Sequence, residues 1–393
     1  MQNIVFVGII LFLTAFCHAA EPGAADPTEN AGVKLAFQHE EGDAVRDVAF
    51  SEDNKFIFSF ASCGLPGAVA DSGRAWVWDR ITGIVVNRVD RKSAGESPVI
   101  SRRPAHVECT NTGTSVRDFL TGKRRSIALR GIDDSFRCRV LSEEHELLVA
   151  CNPTSTSGRG WDLKTGEPRF RLPNVEHTVA YPYVLSKSGK YLAICFEYLL
   201  NKDSDDHAWD ETRKDGTRGL IAVWSLSEPR QAIEVRWPHR PYSVGVSADD
   251  KTLVFGSWDN DFKPGWINVV DIATGKPLPG FPKKTKYVPA CIAFSPDGKH
   301  LCWGDAIGAT HIMDTRTWQE ESVLRIHPEK DDEQHEFEAF YDDCINCIAY
   351  SSDGALIATG TNDARIRIWD VKSGKEVTPK LVQKTDGKKA APQ

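Results

Sequence analysis

A chain of 393 residues with 41% apolar residues has material for one large domain or two ordinary ones, each with a real core. A formal charge of −7 argues against a nucleic-acid partner, which would need a broad basic face. Beyond that the bulk composition is that of an ordinary globular protein, with a generous supply of Trp and Gly.

Residues 4–16 form an apolar run too short to span a bilayer, followed by the small residues of CHAA. The expectation is a signal peptide over 1–20, cleaved after Ala19 or Ala20, and a mature chain exported to the periplasm or the extracellular space. Phe16 before Cys17 does not suit lipid attachment. Cleavage leaves nine cysteines, most of them inside strand-like runs, where a free Cys packs as a small apolar residue. The pair Cys344 and Cys347 has no second pair to complete a zinc site.

From residue 33 onward two turn signatures alternate. An apolar strand ending in Ser enters a tight turn at Ser51, Ser142, Ser186, Ser247, Ser295 and Ser351, with Ser101 as the weakest candidate. The SPDG form explains why: Pro presets the first turn position and Gly completes the last. The second signature, D-x-x-[T/S]-G, opens at Asp79, Asp118, Asp162, Asp271 and Asp370, with degenerate forms near Ser225 and Asp314. Asp can bond its own turn and Gly can take positive φ. Between the turns apolar and polar residues alternate, as in ARIRIW (364–369), the period of a half-buried strand. Successive Ser turns fall about 40 to 60 residues apart, the spacing of propeller blades.

Each unit therefore reads as strand a, turn, strand b, loop, strand c, turn, strand d. Four short antiparallel strands cannot bury both faces alone, whereas seven stacked and closed into a ring can. The fold class expected is all-β, a seven-bladed β-propeller over residues 33–380, with a disordered tail at 381–393. Ring closure is expected from residues 33–37 lying beside RIRIW, with EVTPKLV (376–382) as the competing closer.

The combination of SPDG and IWDVKSGK resembles the WD-repeat β-propeller family. The likeness covers about residues 33–380 and is strongest in the seventh unit, where Asp363 and Trp369 match the family's b–c turn and strand c positions. His39 is the best match to the family's histidine before strand a. The resemblance implies that Asp79, Asp118, Asp162, Asp271, Asp314, Asp363, Trp369 and Asp370 hold turns and blades rather than perform chemistry.

Insertions point to function. The b–c connections at 61–73, 197–219 and 258–265 are long, and a fourth insertion at 325–343 precedes the last strand a. All leave one end of the disc, and long loops on a rigid scaffold commonly bind. Candidate anchors for a protein or peptide partner are His207, Trp209, Asp210, Trp258, Phe262, Phe337, Phe340 and Tyr341, aromatic or charged residues in acidic loops. An EF-hand beginning at Asp203 fails, because Ala208 and Lys214 stand where Gly and Glu are required. No nucleophile elbow, phosphate loop, HExxH or dinucleotide fingerprint is present. The reading is a monomeric, non-enzymatic interaction platform with no cofactor, no metal and no membrane span in the mature chain. The alternative is a propeller enzyme of quinoprotein-dehydrogenase or lactonase type, suggested by DIATGKPLPGF (271–281) but lacking the Trp that family places after the turn.

Overall fold

The computed structural model describes residues 33–35, 37–39, 43–62, 73–90, 96–99, 105–110, 113–132, 137–142, 144–151, 158–172, 178–198, 216–226, 230–259, 264–327 and 343–382. These residues form six antiparallel four-stranded sheets in sequence order and a seventh of three strands. The innermost strands are Ala44–Phe50, Glu96–Val99, Arg137–Ser142, Thr178–Leu185, Arg240–Val246, Cys291–Phe294 and Ile345–Tyr350. The sheets are numbered below as blades 1 to 7 in that order.

Period-two alternation feeds both faces of each blade into its neighbours. In strand Leu147–Cys151 of blade 3, Leu148 and Ala150 join Ala105, Val107 and Val116 of blade 2. Leu147 and Val149 face the other way and join Leu192, Ile194 and Phe196 of blade 4. Further clusters link blades 4 and 5 through Cys195 and Phe255, 5 and 6 through Val269 and Trp303, and 6 and 7 through Ile312 and Trp369. Val45 and Phe50 pack with Ala358 and Ile366 to join blade 1 to blade 7, and Phe119 of blade 2 packs on Phe58 and Val77 of blade 1. The ring closes, each blade packing its apolar faces against the blades on either side.

Closure differs from the sequence expectation. Val33–Leu35 does not lie beside RIRIW; it pairs antiparallel with Lys380–Val382. The outer position of blade 7 is shared. Gln38 bridges Arg365 at one end of strand Ile366–Asp370, while Glu376 bridges Trp369 and Val377 N donates to Ile368 O at the other. Both expected closers take part, each covering half of the strand, because Pro379 has no N–H with which to continue the ladder.

The two repeated turns have repeated chemistry. Ser51, Ser247, Ser295 and Ser351 each donate Oγ–H to the Asp two residues on and accept the N–H five residues on. In the c–d turns the Oδ1 atoms of Asp79, Asp118, Asp162, Asp271, Asp314 and Asp370 accept the N–H three residues later, at 2.6 to 2.8 Å. Glycine follows at φ near +70° in five of these turns, and Trp318 takes that left-handed position in the sixth. These hydrogen bonds hold the Asp370 carboxyl below its usual range, Ser373 being the main cause. Asp370→Ala is expected to lower the melting temperature by on the order of a few degrees and to leave partner binding intact. Unchanged stability with lost binding, measured by thermal unfolding and capture, would refute a purely structural role.

Candidate interaction face

The antiparallel order places every b–c and d–a connection at one end of the disc and every a–b and c–d turn at the other. Strand pairs Phe56–Ser62 and Arg74–Asp79, Tyr191–Tyr198 and Gly219–Ser225, and Thr252–Trp258 and Gly265–Asp271 end at that first face. The long insertions join these strand ends. His207, Trp209, Asp210, Phe262, Phe337, Phe340 and Tyr341 lie outside the described residues.

Trp258 is described and is not a freely projecting anchor. It is half-buried against Tyr287, Val288 and Ala306, and the Arg240 guanidinium lies 5.2 Å above its ring. Arg240 Nε in turn meets Glu197 Oε1 at 3.2 Å, tying blade 5 to blade 4. Next to this pair stands a feature the sequence reading did not single out. The His239 and Trp266 rings stack 5.2 Å apart at 9°, with the Lys284 ammonium 5.8 Å from the Trp266 centroid. Asp259 faces His239 Nδ1 at 3.7 Å and Arg218 at 3.6 Å. Burial lowers the His239 pKa despite Asp259, so the ring is neutral at pH 7 and stacks as an aromatic body. Trp237 Nε1 donates to Ser257 Oγ at 3.0 Å beneath the stack. A groove lined by Pro264, Lys284, Thr285 and Lys286 opens beside it. Backbone packs closely here: a Cβ at Gly265 would stand 2.2 Å from Tyr287 O. The available signal was W-x-H at 237–239 directly before a strand, but alternation alone does not tell a stacked ring from a core one.

A second cluster occupies the same end of blade 6. The His311 ring lies flat on Trp303, 3.8 Å away at 4°, between Glu320 Oε2 at 2.6 Å and Asp305 Oδ2 at 3.5 Å. Burial works against its charge, but the two carboxylates carry the pKa above its ordinary value. Asp305 is itself buried and caps the turn, accepting from Ile307 N and Ala309 N. Between blades 1 and 7, Arg46 Nη1 donates to Asn346 and Asn362 Oδ1 atoms at 3.2 and 3.4 Å. In the b–c turn of blade 7, Asp363 receives Arg367 Nη2 at 2.7 Å and the Thr361 hydroxyl, while Trp369 Nε1 donates to Thr359 Oγ1 at 3.0 Å. Asp363, Arg367 and Thr361 thus hold one another, and Trp369 is fastened separately to the neighbouring strand b.

The Cys344 and Cys347 thiols are free, and burial raises both, Cys344 to about 12. That suppresses the thiolate on which thiol redox chemistry depends. Among the described residues no group of three or more His, Cys, Asp or Glu could hold a metal ion, and no helix is long and apolar enough to cross a membrane.

Residues 332–370 match the family model for the WD domain, G-beta repeat. That match falls on the seventh blade of the closed ring. The chain is an all-β propeller that carries a WD repeat in its last blade. Curated proteins similar to it include Telomerase protein component 1 of Rattus norvegicus, 31% identical over 122 residues that make up 31% of this chain and 4% of that protein. WD repeat-containing protein SL1-17 of Schistosoma mansoni is 24% identical across 41% of this chain and 47% of its own. WD repeat-containing protein 1 of Xenopus tropicalis is 22% identical across 66% of this chain and 40% of its own. The chain therefore aligns with less than half the length of each.

Proposed function

We propose that this propeller is an exported, non-enzymatic platform that binds a protein partner through its b–c/d–a face. The observation that carries the reading is the convergence at one end of the disc. The strand ends joined by all four insertions lie there, beside the His239–Trp266 stack and the Arg240–Trp258 pair. Rigid aromatic surface flanked by hydrated charge is what binding energy concentrates on. The apolar run at 4–16 supports export. Trp209 and Phe340 are the anchors chosen, each a large apolar body in an acidic loop.

The test is affinity capture from the exported fraction with the wild type and with the Trp209→Ala/Phe340→Ala double variant. Loss of the captured partner at unchanged melting temperature is expected of binding anchors, since substitutions outside the packed core cost little stability. Equal capture by the two chains would sink the assignment, and so would a large fall in stability.

A further inference from the structure

The large apolar side chains that stand exposed among the described residues gather on three successive blades, at the end opposite the long loops. They are Ile81, Ile84, Val85 and Val86 of blade 1, Leu120 of blade 2 and Val377 of blade 7. Blade 1 is the extreme case, with Ile81 64%, Ile84 56%, Val86 54% and Val85 39% exposed. Single exposed apolar residues are ordinary on any surface, but a contiguous group marks a contact site.

The repeat supplies an internal control. Where the c–d turn of blade 1 carries Ile81, the turns of blades 3, 6 and 7 carry Lys164, Arg316 and Lys372. Directly after the turn, Ile84 stands where those of blades 2, 3, 5 and 7 have Lys123, Glu167, Lys276 and Lys375. The turn itself thus tolerates charge at both places, and its geometry does not require Ile. More than half of the Ile81 and Ile84 surface is left in water.

The patch continues into an edge. Val85–Asp90 is the outermost strand of its sheet, and no strand among the described residues pairs with its outer row of N–H and C=O groups. Such a row is a template for an extended chain, and charged side chains are the usual guard against it. Outer strand Arg124–Ile127 of blade 2 has that guard and blade 1 lacks it at Ile84 to Val86. The two blades are locked side by side, Asn87 Nδ2 donating to Phe119 O at 2.6 Å. Leu120 and then exposed Lys123, Arg124 and Arg125 follow from that same turn, a local run of positive charge on a chain of net −7.

We propose that the outer edge of blade 1 docks an extended, acidic segment of a partner protein. Its backbone adds along Val85–Asp90, its aliphatic side chains cover Ile84 and Val86, and its carboxylates face the basic strand of blade 2. The site is separate from the long-loop face and stands or falls without it.

The probe is a short fluorescent peptide of alternating valine and glutamate, titrated by anisotropy against the full chain. Saturable binding is expected, weakened about tenfold or more by Val86→Lys and unchanged by Trp209→Ala. Lys123→Glu, which leaves the apolar edge intact, is expected to weaken binding and to reduce its salt dependence. The valine–lysine counterpart is expected not to bind. Absence of binding by the valine–glutamate peptide, or equal binding by wild type and both variants, would overturn the proposal. So would a concentration-dependent dimer abolished by Val86→Lys, which would make the occupant a second copy. Adsorption to phosphatidylglycerol vesicles lost in the same variants would make it a lipid surface and would equally overturn it.

Discussion

Trp161→Ala is expected to cost about 3–5 kcal/mol, a large part of the stability of any single domain. Trp161 is completely buried and faces blade 2, where it joins Val107, Val116 and Ile132 in the cluster that binds blades 2 and 3. Its indole N–H donates to Arg130 O at 2.9 Å, so truncation both opens a cavity and strands a carbonyl acceptor. In a closed ring each interface supports the next, so the loss should appear in the global unfolding transition rather than as local fraying. Chemical denaturation of wild type and variant measures it. A change below about 1 kcal/mol would mean that the interface between blades 2 and 3 contributes little to the cooperative unit.

The blade count and the blade-to-blade burial were legible in the sequence because both rest on local chemistry. A Ser that donates two residues on, an Asp that accepts three residues on and a strand that alternates leave their marks within a few positions, as at Ser295 and Asp271. Ring closure was not legible. It joins Gln38 to Arg365 and Val33 to Val382, and no short-range pattern records which of two terminal segments will reach a given strand. The exposed face of blade 1 was hidden for a different reason. The run at 84–86 has the composition of a buried strand, and only its place at a sheet edge makes it surface. The long loops announced one face by their length, yet the stack of His239 on Trp266 depends on where the connection from blade 4 to blade 5 meets the third strand of blade 5. Trp258 shows the converse. Its loop position suggested a free anchor, while packing on Tyr287 and Ala306 makes it partly structural.

Acidification should loosen the ring at its seam, through His39. This side chain is 3% exposed, and desolvation, with the nearby Arg74 charge second, lowers its pKa from 6.5 to about 3. Its Nε2 lies 2.8 Å from Ser59 Oγ, which also receives Trp78 Nε1 at 2.9 Å, and its ring packs against Trp76 and Trp78. The backbone N–H of the same residue donates to Ala364 O, fastening the N-terminal segment to blade 7. Because the folded-state pKa is depressed, the unfolded chain binds the proton first as pH falls below about 6.5. The stability tied to neutral His39 is therefore fully present above that pH and is lost progressively between there and about 3, at up to about 1.4 kcal/mol per pH unit. Other titrating groups contribute to any raw pH profile, so the decisive quantity is the difference between wild type and His39→Gln. Gln keeps a polar side chain at the site and does not titrate. Unfolding free energies of both chains at pH 7, 6 and 5 should show the wild type's advantage shrinking by about 1.4 kcal/mol per unit below pH 6.5. Two parallel profiles would mean that His39 titrates normally in the folded chain and that the seam is not where acid acts.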